Sequence, residues 1–471
     1  MSVVAIDQGT TSTRALRLED GRARIVHAVR HAQHHPRDGW VEHDPEELLG
    51  NIRECLQVAG RAEAIGIANQ GESCLAWDKV TGKALSPVIV WQDNRTAGEI
   101  EALRASGAEA ETLARAGLPL DAYFSASKLA WILRESPEAR AALAAGRLRL
   151  GTTDAFFLDR LTGVFATDVT TASRTSLMNL ATGQWDAELC RIFGVPMEAL
   201  PEIRDTAGAF GAFGGVPVRA SVVDQQAALY GHGCRGPGDA KITFGTGAFT
   251  LAVTGEEIVR APEQGLLPTV AWRKAGVSTY AVDGGVYDAG AAVEWGQRLG
   301  LFESFAELDE FEAPPAISRG LAFVPALSGL ACPHWDRSAA ALWIGMSAGT
   351  TRRDLAQALL EGIALRTAEV VSAMDARVAI GGRISVDGGL TRSRYFIRFL
   401  ANALQREVAC PVFDELTAFG CAALAAGGDV ARPGAVRVVA ADVGDVAGWH
   451  SAFSEAVGRA KGWRYEMAHD K

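Results

Sequence analysis

The sequence predicts an α/β protein built from two similar halves that flank a cleft. Three observations carry this. Short apolar runs alternate with amphipathic helical stretches along the whole chain. A strand, a glycine-threonine turn and a second strand occur twice, at 3–14 and again at 240–251. Between the copies lies Gly231-His232-Gly233-Cys234-Arg235-Gly236-Pro237-Gly238. That stretch is short, so the halves, 1–232 and 233–471, are expected to be joined by a hinge and not by a loose tether.

Composition narrows the classes. The 471 residues are 48% hydrophobic and include 51 glycines, enough for large cores and many tight turns. Against 46 basic residues stand 56 acidic ones, a net charge of −10. This disfavours nucleic acid or an anionic membrane as partner. No apolar run reaches about 18 residues, and the first strand begins without a basic region or an apolar leader. A cytoplasmic protein without a membrane span is expected. The seven cysteines are scattered and never form C-x-x-C, which fits reduced thiols and neither a disulfide framework nor a zinc site. His31, His34 and His35 read as a solvated loop.

The elements follow in order. Residues 3–6 form a buried strand that ends at Asp7. Gly9 lets the backbone turn close to a ligand. Successive N–H groups in such a turn make an anion concavity, to which Thr10, Thr11 and Ser12 add hydroxyls. Asp7 aims at the same spot and could hold a divalent metal, usually through water. The combination suits a nucleotide's phosphates with Mg²⁺. Residues 14–29 give two more strands around an Asp20-Gly21 hairpin turn. Asp44, Pro45 and Glu47 open a helix as N-cap, first residue and capping-box partner. Leu48, Ile52, Leu56 and Ala59 give it an apolar face, and Gly60 stops it. Strand 64–68 runs into Asn69-Gln70-Gly71-Glu72, and strand 88–91 into Gln92-Asp93-Asn94-Arg95. Helices are expected at 97–105, 109–116, 126–135 and 137–145. Strand 221–223 ends at Asp224, from which a helix runs to Gly231.

In the second half the hairpin repeats around Gly245-Thr246-Gly247. Helices are expected at 289–299, 353–376 and 393–405. Strand 384–386 ends in Asp387-Gly388-Gly389, a third close-approach turn suited to a nucleoside packed on backbone. There is neither a P-loop nor a convincing dinucleotide fingerprint. Asp224, at a strand end and a helix start, reads either as a plain N-cap or as a carboxylate, favoured there by the helix dipole, that could accept the proton of an attacking hydroxyl.

These motifs resemble those of the FGGY carbohydrate kinases, of the actin/hexokinase/Hsp70-type ATPase superfamily, and within them are most similar to the glycerol kinases. The likeness runs nearly end to end. It includes Asp7 to Ser12, Gly39 to Pro45, Val90-Trp91-Gln92, Tyr123-Phe124-Ser125 and Thr171-Ala172-Ser173-Arg174-Thr175. It continues through Asp224-Gln225-Gln226, Phe244-Gly245-Thr246-Gly247, Pro333-His334-Trp335-Asp336 and Asp387-Gly388-Gly389, with both family signature regions at 123–135 and 341–361.

The resemblance implies two ribonuclease-H-like domains flanking a nucleotide cleft that closes. It implies transfer of the γ-phosphoryl group of ATP, with Mg²⁺, to a small polyol, glycerol first. In that reading Asp224 is the catalytic base and Asp7 holds the metal. Thr10, Thr11, Ser12, Arg14, Gly245 and Thr246 cradle phosphates, and Gly290, Gly389 and Ser393 lie at the nucleoside. Glu72, Trp91, Tyr123, Asp224, Gln225 and Phe249 form the acceptor site. A homo-oligomer, dimer or tetramer, is expected.

The chain departs from the pattern in three places. Gly71 stands where glycerol kinases carry arginine in an Asn-Gln-Arg-Glu run, which keeps another small polyol or ketose (erythritol, threitol, xylulose) open as the acceptor. Glu294 replaces a glutamine near the nucleotide. The 211–221 segment is shorter than the loop that binds a sugar bisphosphate in regulated glycerol kinases, so such inhibition is expected to be absent. A non-kinase ATPase of the same fold gives no reason for Trp91, Tyr123 and Asp224-Gln225. A sugar sensor would be expected to lose Asp7 or Asp224.

Overall fold

A computed structural model describes residues 1–428 and 430–464. Two mixed sheets form its frame. The first has the order 212–213, Val216–Val223, Ala64–Asn69, Ser2–Gln8, Ser12–Glu19, Arg22–Arg30. The second has the order Leu267–Lys274, Val277–Val286, Ala248–Gly255, Ala240–Phe244, Arg383–Gly388, Glu407–Pro411, Val436–Val439. In each, the opening strand pairs antiparallel with its hairpin partner on one side and parallel with a later strand on the other. The repeat read from the sequence is therefore a repeat of topology. The two glycine turns occupy the same corner of their sheets.

The register explains why chemistry collects there. Asp7 lies beside Ala68 and Gln8 beside Asn69, while Val223 lies beside Asn69. Asp7, the 69–72 loop and Asp224 thus leave the carboxyl ends of three adjacent parallel strands, where ligands of open α/β sheets bind. In the second sheet Thr243 lies beside Asp387 and Phe244 beside Gly388. Gly388 has φ +96° and a Cβ there would come 2.1 Å from the Phe244 carbonyl oxygen, so this turn admits only glycine.

A smaller antiparallel sheet, of Glu42–His43, Val88–Ile89, Cys74–Asp78 and Leu148–Thr152, sits on the first half and carries the acceptor-side loops. The strand expected over 88–91 is only Val88–Ile89; Trp91 lies in the turn after it. Helices occur at Ala97–Ala105, Glu109–Arg115, Ser125–Glu135, Pro137–Ala144, Gly290–Arg298, Arg352–Asp375 and Arg394–Leu404. Each matches its expected span to within two residues. Asp44 caps Pro45–Ala59 by accepting from the Glu46 and Glu47 backbone N–H groups.

Helices Asp224–Gly231 and Leu416–Ala425 cross at the centre of the molecule. A Cβ on Gly420 would lie 1.9 Å from the Ala227 carbonyl oxygen, and one on Gly231 2.0 Å from that of Leu416. Glycines set this backbone-to-backbone approach. One apolar cluster joins Val3, Ala5 and Leu16 of the first sheet to Leu251 and Val253 of the second through Phe419 and Ala422. The halves share a core as well as a connector.

The histidine reading needs one correction. His34 and His35 are exposed, but His31 is only 9% exposed. Its Nε2 lies 3.1 Å from the Thr10 carbonyl oxygen, and its ring packs edge-on against His43 at 4.9 Å. The imidazole buttresses the first glycine turn. Among the described residues no helix is long and apolar enough to cross a membrane, and all seven cysteines are buried and free.

Candidate active site

A cavity of about 140 Å³ opens between the halves. Thr10, Gly71, Glu72, Trp91, Tyr123, Arg174, Asp224, Gln225, Phe249 and Asp283 are among its walls. All six residues expected at an acceptor site are therefore brought together, from five separate segments.

Each is fixed by its own support. Glu72 holds a left-handed backbone, φ +57°, in a tight turn where the Ser73 N–H reaches the Gly71 carbonyl oxygen at 2.6 Å. Ser125 Oγ donates to the Glu72 carbonyl oxygen. Trp91 donates from Nε1 to Thr10 Oγ1 at 3.1 Å, which ties the acceptor wall to the phosphate-type turn. Its ring meets Tyr123 edge-on at 5.7 Å. The loop after Trp91 is braced by Arg95, which binds Asp93 and Glu42 and packs against the rings of Trp40 and Trp131. The buried Lys128 ammonium donates to the Tyr123 carbonyl oxygen at 2.6 Å. Trp77 is fully buried, as a core residue should be.

The cavity is crowded with charge. Burial, then the nearby Glu72 and Asp7 carboxylates, push Asp224 up to about 7. A carboxyl poised there exchanges a proton near neutrality. Burial raises Asp7 to about 6, opposed by Arg14. Tyr123 is pushed well above its ordinary range by burial and stays a neutral hydroxyl. Arg174 binds Glu72 Oε1 through Nε at 2.7 Å and Asp283 Oδ2 through Nη2 at 3.2 Å. Beneath the floor, fully buried Lys241 donates to Gln225 Oε1 at 2.5 Å and to Thr243 Oγ1 at 2.9 Å.

Arg174, Asp283 and Lys241 had no role assigned from the sequence. Lys241 and Asp283 carried a usable signal, a charge inside an otherwise apolar strand, which is almost never buried unless paired. Arg174 had none beyond its motif.

On the nucleotide side the first turn is open, with Thr11 exposed and Thr10 and Ser12 partly so. Gly245, Thr246 and Gly389 are exposed, and nothing lies within 4 Å of a Cβ built on Gly389. Three expected contacts are differently engaged. Arg14 binds both carboxylate oxygens of Glu415, at 2.9 and 2.8 Å, and so spans the two halves. Ser393 is fully buried; its hydroxyl caps Arg394–Leu404 and donates to the Leu308 carbonyl oxygen. Gly290 packs against the glycine turn itself, its N–H on the Gly245 carbonyl oxygen, with only 2.5 Å for a Cβ. The Ser393 side chain is thus spent inside the fold, and half-exposed Gly290 has no room for one. Glu294 is exposed.

No side chain among the described residues bonds the Asp7 carboxyl, and no cluster of three or more His, Cys, Asp or Glu side chains forms a metal cage. One free carboxylate beside a hydroxyl-rich turn suits a cation that keeps its waters and takes its remaining ligands from phosphates, as Mg²⁺ does.

Residues 2–231 match the N-terminal domain of the FGGY family of carbohydrate kinases, and residues 240–428 its C-terminal domain. The chain is 43% identical to the glycerol kinase of Rhodospirillum centenum over 442 residues, 90% of this chain and 88% of that one. Its fold superposes on the crystal structure of Plasmodium falciparum glycerol kinase with ADP with a TM-score of 0.89 and 30% identity, covering 98% of both chains. The xylulose kinase of Rhodospirillum rubrum follows at 0.84 and 26%, again over 98% of both. The chain belongs to the FGGY family of carbohydrate kinases, a phosphotransferase family whose two-domain architecture is that of the actin- and hexokinase-like ATPases.

Proposed function

We propose that this kinase transfers the γ-phosphoryl group of ATP to a hydroxyl of glycerol, with Asp224 as general base. One observation carries the reading: the cavity that holds Asp224 is walled on its nucleotide side by Thr10 of the first glycine turn. An acceptor hydroxyl against Asp224 would face phosphates cradled by Thr10, Thr11 and Ser12 on one half and by Gly245 and Thr246 on the other. Gly389 would meet the nucleoside.

The acceptor's scale agrees. A cavity of about 140 Å³ is on the scale of the roughly 150 Å³ that takes up benzene, a ligand with as many non-hydrogen atoms as glycerol. Trp91 and Phe249 would cover the carbon chain. Glu72, Tyr123, Asp224 and Gln225 would bind hydroxyls, and Lys241 would hold the Gln225 amide oxygen so that its NH₂ faces the acceptor. The resemblance to glycerol kinases at this identity points the same way.

In the reaction the hydroxyl proton passes to Asp224 as the oxygen forms its bond to the γ-phosphorus. The bond from that phosphorus to the β–γ bridging oxygen breaks, and ADP leaves. Such a transition state needs placement and charge neutralisation more than covalent help. Mg²⁺, held through water by Asp7, would supply neutralisation of the phosphate charge when bound.

A coupled ADP-release screen over glycerol, erythritol, threitol, xylulose, ribulose and dihydroxyacetone tests the acceptor. Glycerol should give the highest kcat/KM. A ketose in first place, or no release above the acceptor-free background, would overturn the assignment. Asp224→Ala should lower kcat by at least ~10² with ATP binding retained; near-normal turnover would remove Asp224 from the mechanism.

A further inference from the structure

Two buried polar atoms in the acceptor cavity have no partner: Arg174 Nη1 and Asp283 Oδ1. Both residues line the cavity. Each is otherwise fully engaged, Arg174 by Glu72 and Asp283, and Asp283 by Arg174. Their side chains are 5% and 12% exposed. A charged donor and a charged acceptor, left bare on two residues that pair through their other atoms at 3.2 Å, call for one group that both accepts and donates. A hydroxyl has one proton and two lone pairs and does this. An ammonium group would satisfy Asp283 and meet the guanidinium with like charge. A carboxylate would satisfy Arg174 and meet Glu72, Asp224 and Asp283.

We propose that Arg174 Nη1 and Asp283 Oδ1 clasp a second hydroxyl of the acceptor, distinct from the one Asp224 deprotonates. Arg174, from the segment after helix Val169–Ala172, is the guanidinium that lines this cavity, where Gly71 brings none. The assignment rests on the polyol-kinase reading. It also places the acceptor across the cleft: Arg174 belongs to the first half and Asp283 to strand Val277–Val286 of the second. A bound polyol would bridge the halves through this hydroxyl, while the pair itself sets which polyols fit.

The test compares glycerol with propane-1,2-diol and propane-1,3-diol, each lacking one of the two hydroxyls that do not react. The wild-type enzyme should reject both, a site built for a hydroxyl discriminating by up to roughly 10⁴. In Asp283→Ala the preference for glycerol over one of the two diols should collapse by at least ~10-fold, while the preference over the other stays. Asp283→Asn, of equal size, should move the same ratio in the same direction by a smaller factor. A merely structural role would lower all three kcat/KM values together and leave both ratios unchanged, and that result overturns the clasp. Calorimetric titration of the three polyols into the wild-type and Asp283→Asn proteins without nucleotide gives the same ratios as affinities. It reads the clasp even if ADP release shows glycerol to be a poor phosphoryl acceptor, so the two readings fail separately.

Discussion

Gly71 is buried and its backbone is not left-handed, so no conformational demand explains the glycine. Space does. A Cβ there would lie 2.7 Å from Val223 Cγ2. Val223 is 2% exposed, is stiff because it is β-branched, and directly precedes Asp224. Turning its methyl groups away would drive them into packed surroundings, and shifting its backbone instead would move Asp224. Gly71→Ala therefore acts as overpacking, at a cost of roughly 1–3 kcal/mol. For a domain of this size that is a fall in Tm of about 2–12 °C, at roughly 2–4 °C per kcal/mol. It should also reduce kcat, because strain relieved at Val223 displaces Asp224. Val223→Ala removes the obstructing methyl groups, so Gly71→Ala/Val223→Ala should recover most of the loss relative to Val223→Ala alone. Thermal melts and steady-state kinetics on the four proteins close the cycle. A neutral Gly71→Ala, or additive effects in the double variant, would refute the reasoning. The same geometry bears on arginine at this position: Gly71→Arg should favour glycerol further only when Val223 is also reduced.

Three further outcomes are expected. With Asp224 near 7 as the proposed base, kcat/KM should fall as pH drops through about 7. Glu72→Gln removes the largest like charge acting on it and should move that acidic limb to lower pH in a rate profile; an unmoved limb would show that Glu72 does not set it. Gly420→Ala must push apart helices Leu416–Ala425 and Asp224–Gly231, whose closest approach leaves 1.9 Å for the added carbon. It should cost at least ~3 kcal/mol by denaturant unfolding, and a wild-type midpoint would deny that the crossing is backbone-tight. Anionic acceptors such as glycerate or gluconate should give under ~1% of the glycerol kcat/KM, since like-charge juxtaposition costs several kcal/mol; efficient phosphorylation of either would mean the three cavity carboxylates are not ionised together.

Much of this was legible in the chain. Alternating strands and helices, the doubled glycine turn and the Asp224 strand end follow local rules of period, capping and turn chemistry, and the structure has them where those rules put them. The six residues expected at the acceptor, which line one cavity, were legible through family motifs, not through their chemistry. What could not be read was how side chains spend their bonds. Arg14 is a cation beside a phosphate turn in the sequence, yet Glu415, 401 residues away, takes its guanidinium. Ser393 is expected at the nucleoside, yet its hydroxyl caps Arg394–Leu404 and reaches the Leu308 carbonyl oxygen. His31 lies among exposed histidines and still turns inward onto Thr10.

By itself the sequence determined the class of chemistry, because many short motifs in one order mark the kinase family, and each motif needs only a short stretch of backbone. The tertiary structure decided the shape of the acceptor site. Whether position 71 has room depends on Val223, and which arginine enters the cavity depends on a segment 102 residues further on reaching Glu72. Such contacts are made by distant strands laid side by side, and their fit is set by a few tenths of an ångström in packing that no local pattern encodes.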